Sequence, residues 1–370
     1  MTFTVEISSK INENFWNDNL TKNTGSTIYQ SYAWQKLYLE SFDSKPVFVT
    51  VFDESKTVVG QLACLIHGKM LWENSNHLFK KIKNILKMGN SLWWYHGPII
   101  HDEDNQEEIL SIILSSIDKI AKDNKVENIR GISSPLAKQF SPQIFQKNGY
   151  ISEQRLTFII DLNQNLDDLY DSLKKDTRYY IRKSEKENFE FEIAKDMGGL
   201  VKFQDFKIDA RKREGRKIVR NSEFYEKHWK IMQNNGFEEW LLARNNGEIK
   251  GTILTLFFNG NMIQHALANS PGEKLVGTFL TWNTIKWAQK MKLCTFDFAG
   301  VDPLPKTKKE KGIYFYAEKF GGKKIDFFSY TKIVNRKKYY LSSSLQNPSK
   351  IVSKYHKYKQ KQIRKKDESQ

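Results

Sequence analysis

Asp297 sits in the alternating run Thr295-Phe296-Asp297-Phe298, where the two-residue period of a strand puts its carboxylate opposite both phenylalanines. A carboxylate so placed can accept the proton of an attacking amine or cap a loop near the strand end. His265, in Met262-Ile263-Gln264-His265-Ala266-Leu267-Ala268, shares a face with Ile263 and Leu267 and reads as a hydrogen-bonded core histidine ahead of a base. Arg211 opens the basic cluster Arg211-Lys212-Arg213-Glu214-Gly215-Arg216, which could hold an anionic substrate group. After Asn165, Leu166, Leu169, Tyr170, Leu173, Thr177, Tyr180 and Ile181 keep helical spacing. On that helix Lys174, Arg178, Arg182 and Lys186 recur every four residues as one surface row, either a solvated face or a seat for phosphate or pyrophosphate. Trp93, Trp94 and Tyr95 read as core ahead of a sugar platform.

Several familiar devices are missing: G-x-x-x-x-G-K-[ST], G-x-G-x-x-G and G-x-S-x-G are all absent. The histidines show no metal-ligand spacing with one another or with Cys64 and Cys294. Those two cysteines lie in apolar surroundings, so buried free thiols in a reducing compartment are expected. No metal and no cofactor are expected, and non-covalent chemistry by positioning is what remains.

The elements that must position these residues occur twice. An aromatic-rich helix around Trp34 leads to the strand Val47–Phe52, a polar turn, and the strand Val58–Ile66. A helix around Trp229 leads to Trp240–Arg244, the turn Asn245-Asn246-Gly247, and Ile249–Leu256. Downstream, a helix ending near Lys122 precedes Ile129–Ile132, and a helix ending near Lys290 precedes Thr295–Gly300. Gly60 and Gly131 are 71 residues apart, whereas Gly251 and Gly300 are 49 apart, so the first copy carries an insertion. It is placed at residues 69–92, with a basic amphipathic helix at about His77 to Lys87. Interleaved strands and helices of this kind indicate two α/β units, each with its own mixed sheet.

The 370 residues carry 59 Lys+Arg against 43 Asp+Glu, a net charge of +16, and 39% hydrophobic residues, which excludes global disorder. Residues 332–366 hold 12 Lys/Arg and no acid, so most of the excess charge is in a basic tail fitted for nucleic acid or an anionic membrane surface, if for anything specific. The N-terminus lacks signal-peptide character. The uncharged stretch Gly251 to Gly272 is broken by Asn259-Gly260-Asn261 and reads as a hairpin, so no transmembrane segment is expected.

Five segments in order resemble the FemABX peptidyltransferases. They are Gln30-Ser31-Tyr32-Ala33-Trp34, the Gly97-Pro98-Ile99 turn after Trp94-Tyr95-His96, the strand ending Asp161-Leu162 with the helix carrying Arg178, Arg182 and Lys183, the run Phe296-Asp297-Phe298-Ala299-Gly300, and Gly312-Ile313-Tyr314-Phe315-Tyr316-Ala317-Glu318-Lys319-Phe320-Gly321-Gly322. The resemblance covers about residues 28–330. It implies two tandem GNAT-like domains, at residues 1–155 and 156–334, with a tail at 335–370. It also implies transfer of an amino acid from aminoacyl-tRNA, or of another acyl group, onto an amine of a phosphate-bearing envelope precursor of the peptidoglycan type. That activity needs no covalent nucleophile, because an ester is already activated and the protein has only to orient a neutral amine and stabilise an oxyanion.

On this reading Asp297 takes the amine's proton. Gln30, Trp34, Lys36, Tyr95, Arg178, Arg182, Lys183, Arg211, His265 and Phe320 contact substrates, with Lys36 meeting an acceptor phosphate. The family lysine of the fifth segment falls at Ala317. If residues 314–320 are extended, Lys319 shares a face with Ala317 and stands in for that lysine, while Tyr316 lines the acyl pocket. A cytoplasmic protein is implied, with peripheral attachment at the inner membrane face as a further option. Two alternatives stay open: an acyl-CoA-dependent N-acyltransferase acting on a glycan or lipid precursor, although Ser270–Thr278 matches the usual pyrophosphate loop poorly, and a non-catalytic binder of RNA or anionic surfaces.

Overall fold

The computed structural model describes residues 2–42, 44–67, 89–215, 222–273 and 275–346. The expected helical insertion falls mostly at residues 69–88 and the tail mostly beyond 346, both outside the described residues. The first half contains strands β1 (Thr4–Ser8), β2 (Lys45–Phe52), β3 (Val58–His67), β4 (Ser91–Trp94), β5 (Ile99–Ile100) and β6 (Asn128–Ile132). With them come helices α1 (Glu13–Thr21), α2 (Tyr32–Phe42), α3 (Gln106–Asp123) and α4 (Pro142–Lys147). Next are β7 (Ile151–Asp161), α5 (Leu166–Ser172), α6 (Lys175–Glu185), β8 (Glu190–Ile193), α7 (Gly198–Arg213), α8 (Ser222–Met232), β9 (Glu238–Asn245) and β10 (Glu248–Phe258). The chain continues through β11 (Asn261–Asn269), α9 (Val276–Lys290), β12 (Thr295–Asp297), α10 (Lys308–Glu318), β13 (Lys323–Ile333) and α11 (Arg336–Gln346).

The α/β class and the duplication agree with the sequence. The expectation of a separate sheet for each unit does not. All the strands form one mixed sheet in the order β1-β2-β3-β4-β6-β13-β7-β12-β11-β10-β9-β8, with β5 on β3. Read inward from either edge, the pairing pattern is the same: three antiparallel ladders, one parallel ladder (β4 with β6, β11 with β12), then one antiparallel ladder. The innermost strands are exchanged. β7 follows the first half in the chain but pairs with β12, and β13 follows the second half but pairs with β6. Between them β7 and β13 pair along nine residues, Ile151↔Thr331 to Ile159↔Lys323, and this ladder fuses the halves. A cut at residue 155 therefore falls inside β7.

Short-range chemistry sets the turns. Asn246 and Gly247, at φ 49° and 77°, close the β9–β10 hairpin, and Asn259 and Gly260, at 51° and 76°, close β10–β11. α3 buries Ile109, Leu110, Ile113, Leu114, Ile117 and Ile120 at helical spacing against the first half of the sheet. Into that same core β13 delivers Tyr330, fully buried and stacked on Phe145 at 3.6 Å between ring centroids. Another core is shared by the halves, joining Trp16, Trp34, Tyr38 and Phe48 to Phe203, Phe224, Trp240 and Leu254.

Three local expectations need correction. The helix after Asn165 is two helices, because Leu173 and Lys174 adopt extended backbone (ψ 144° and 146°) between α5 and α6. Cys294 is exposed, since it lies in the turn that leads from α9 to β12; Cys64 is buried as expected. Residues 314–318 are helical within α10, whose N-terminus is fixed by a capping box of Thr307 and Glu310.

Candidate active site

The parallel strands β11 and β12 pair only through Asn261↔Thr295, Met262↔Phe296 and Ile263↔Asp297. There β12 stops, β11 runs on to Asn269, and half-buried Gln264, His265, Ala266 and Leu267 line the parting. The β10–β11 register passes over His265, with Leu254 facing Ala266 and Thr255 facing Gln264, so it is the extra residue of a β-bulge. A bulge at this point re-aims side chains just where the two strands separate. The corresponding strand of the first half is broken as well, into β4 and β5, and both pieces pair with β3.

Asp297 occupies the fork and is 1% exposed. Thr157 of β7 donates its hydroxyl to Asp297 Oδ1, and the Ala299 N–H donates to the same oxygen at 2.9 Å. The Gly300 N–H in turn donates to Thr157 Oγ1 at 3.1 Å. The turn that supplies these donors holds Ala299 at φ 64° and Gly300 at 91°; for alanine that conformation costs about 1 kcal/mol. Burial pushes the Asp297 carboxyl up from 3.8 to about 6, opposed by the Thr157 and Ala299 hydrogen bonds. Ordinary aspartates are weaker bases at neutral pH than this one.

Beside the fork, the end of α10 meets the first turn of α9. Tyr316 Oη donates to the Gly277 carbonyl at 2.8 Å and lies 2.6 Å from Thr281 Oγ1, which is 3.2 Å from Gln264 Oε1. Lys319 Nζ donates to Thr278 Oγ1 at 2.9 Å and sits 4.4 Å from the Tyr316 ring centroid and 5.2 Å from that of Phe320. Burial pulls the Lys319 ammonium down to about 8. Because α10 is helical, Ala317 and Lys319 do not share a face as extended residues would. Ala317 points into the core at 2% exposure, and Lys319 caps the helix end and turns toward α9. Its carbonyl accepts from the Lys174 N–H at 3.0 Å and from Thr177 Oγ1 at 3.2 Å, so the start of α6 pins it. Gly321 at φ 79° completes the turn, and a Cβ there would lie 2.4 Å from Ser172 Oγ and 2.6 Å from the Ser172 carbonyl oxygen.

The other face of β11 looks onto the junction between the halves. His265 Nδ1 is 3.2 Å from Tyr29 Oη, and its ring lies 5.9 Å from Trp34 and 6.0 Å from His228. Tyr95 reaches the same group through Tyr29, at 6.0 Å. His228 is itself fully buried and held by Glu238.

The expected site residues thus divide. Tyr316, Lys319 and Phe320 lie on the α9–α10 face with Phe296 and Phe298, Asp297 points to the opposite face of the sheet at the fork, and Trp34, Tyr95 and His265 meet at the junction. Gln30 is removed from substrate contact: it is fully buried, donating to the carbonyls of Ala63 and Tyr95 and accepting from the Ala63 N–H at 2.8 Å. Trp34, at 3% exposure, acts through packing. Lys36 is exposed on α2, and Arg211 is half-buried in the last turn of α7. Arg178 donates to the Asp171 carbonyl at 2.8 Å, and Arg182 and Lys183 stand exposed on α6. Thr157, Gln264, Thr278 and Thr281 were not foreseen, because single threonines and a glutamine carry no spacing signal. A cavity of about 470 Å³ in the first half, lined in part by Lys22, His101, Gln106 and Lys138, lies at the N-terminus of α3. Among the described residues no group of three or more metal-ligating side chains occurs, and no helix is long and apolar enough to cross a membrane.

No protein-family model matches the sequence, and no curated protein matches it. Solved structures do. FemX is similar over 91% of this chain and 99% of its own, at 15% identity and a TM-score of 0.70. A conserved protein of unknown function from Bacteroides thetaiotaomicron is similar over 89% and 100%, at 8% identity and a TM-score of 0.54. A tandem GNAT protein from the clavulanic acid biosynthesis pathway is similar over 90% and 99%, at 10% identity and a TM-score of 0.53. With its two pairing-equivalent halves, the chain shares the fold of FemX and of the tandem GNAT protein.

Proposed function

We propose that this chain is an acyltransferase of the Fem type, moving an aminoacyl group from the ester of an aminoacyl-tRNA onto an amine of a phosphate-bearing envelope precursor of the peptidoglycan type. The observation that carries this is Asp297, a buried carboxylate of raised basicity at the fork of a FemX-like fold. In the reaction the amine attacks the ester carbonyl and its proton passes to Asp297. The tetrahedral oxyanion then collapses, the C–N bond replaces the C–O bond, and the proton leaves with the departing sugar hydroxyl. Lys319, with its ammonium fixed by Thr278 on the opposite face of the sheet from Asp297, is the donor to the oxyanion across the parting of β11 and β12, and Tyr316 walls the acyl group with the fully buried Phe320 packed behind it. Lys36 and Arg211 serve the acceptor's phosphates.

Incubation of the protein with charged tRNA and an envelope-precursor pool should add one aminoacyl residue to the acceptor, read by mass spectrometry. Acetyl-CoA is the competing donor arm, disfavoured because Ser270–Thr278, leading into α9, matches the usual pyrophosphate loop poorly. No mass shift with any donor defeats the enzymatic reading.

Two kinetic results follow. The kcat/KM of transfer should rise with pH through about 6, as Asp297 ionises, and fall through about 8, as Lys319 loses its proton. Lys319→Ala should lower turnover by ~10² and abolish the alkaline limb. A variant with near-normal turnover removes Lys319 from the mechanism.

A further inference from the structure

The structure replaces the expected row Lys174-Arg178-Arg182-Lys186 with a different one. Lys174 is paired with Glu318, and Arg178 with Asp171. α6 buries Thr177, Ile181 and Ser184 against the body. Diametrically opposite, at spacings of four, three and four, stand Lys175, Tyr179, Arg182 and Lys186, all exposed. None of the three cations has an ion-pair partner among the described residues, although Asp176, Glu185 and Glu187 are close in sequence. Tyr179 is 55% exposed and Tyr180 beside it 43%. A large ring held in solvent between unpaired cations is not accounted for by packing.

We infer that this stripe of α6 is a docking surface for a single-stranded RNA end, the donor's own 3′ end on the aminoacyl-ester reading, on which the RNA's identity rests. The stripe is one side chain wide and about 16 Å long, from Lys175 to Lys186, which suits a single polyanionic strand better than a broad duplex. Lysine and arginine take phosphates, and the phenol ring offers a face for a base. The stripe also has a direction. Its Lys175 end adjoins Lys174 and Thr177, which hold the Lys319 carbonyl, so a strand lying along α6 ends beside Lys319. A membrane is the weaker occupant, because the stripe's one ring is a tyrosine and no leucine, isoleucine or tryptophan stands on it to enter an acyl layer.

The test is binding of a fluorescent RNA hairpin with a short single-stranded 3′ end to the full chain, without acceptor, across a salt series. Reversing the charges (Lys175→Glu, Arg182→Glu, Lys186→Glu) should weaken binding at least ~10-fold at low salt and reduce the slope of log affinity against log salt by ~2. Tyr179→Ala should weaken it ~5-fold or more, and the charge-preserving exchange of these lysines and the arginine should leave it unchanged. Unaltered affinity and slope in the reversed variant, with circular dichroism unchanged, overturn the inference. So does a reversed variant that loses binding to phosphatidylglycerol vesicles while keeping RNA. Stripe-dependent RNA binding with no transfer to any acceptor would count against the acyltransferase reading alone. Transfer whose KM for tRNA survives the reversal would count against the stripe alone.

Discussion

Asp297→Asn should lower turnover by ~10² to 10⁴ while making the protein more stable at neutral pH. The two effects have one cause. A folded-state value of about 6 against an ordinary 3.8 means that the fold binds this proton more tightly than the unfolded chain does. Stability therefore falls as pH rises from about 4 through 6, and above 6 the buried charge costs a constant amount, about 3 kcal/mol at most. Asparagine keeps an oxygen for Thr157 and Ala299 and carries no charge, so that cost is relieved. Denaturant unfolding at pH 7 should show the variant to be the more stable, with the difference vanishing near pH 4. Near-normal turnover in the variant would refute Asp297 as the base, and unchanged stability at pH 7 would refute the buried charge.

Tyr330→Ala should destabilise the whole chain by ~3 to 5 kcal/mol, and both halves should unfold together. Tyr330 belongs to the last strand in the sequence, yet its ring fills the core beneath β3 and β6 of the first half. β13 is also bonded along nine residues to β7, which carries the second half through β12. Loosening β13 thus weakens the two ladders through which β6 is joined to β7. Hydrogen exchange should show protection falling in β3 and in β11 alike. Loss confined to β3 and its neighbours would show that the halves are energetically separate.

The sequence made the repeated units legible because period-two runs, Asn-Gly turns and helical stripes are local signals, and each half carries them in the same order. Strand partners are not local. The pattern of β13 is equally compatible with β6 or β12 at its edge, so the exchange could not be read. The break at Leu173-Lys174 was hidden for the opposite reason: Leu173 and Thr177 kept helical spacing across it. The helix at residues 308–318 carries a local signal in Thr307 and Glu310, but the aromatic run inside it, Tyr314-Phe315-Tyr316, suits a strand equally well and hid it. At the site, Asp297 stood out by being polar where its neighbours are apolar. Gln30 stood out through the resemblance alone, and its hydrogen bonds proved to be spent on β3 and the Tyr95 carbonyl.

The exchanged strands also bear on how the protein comes off the ribosome. Synthesis delivers β1 to β6 some 190 residues before β13 arrives (Ile132 against Lys323), and β7, the next strand made, belongs elsewhere. Until then the first half has β6 as an open edge and lacks Tyr330 in its core. An unpaired, twisted strand beside a buried surface is an invitation to pair with another nascent chain. Folding is therefore a late, whole-chain event, and a chain stalled or cleaved before residue 323 should leave no native half behind.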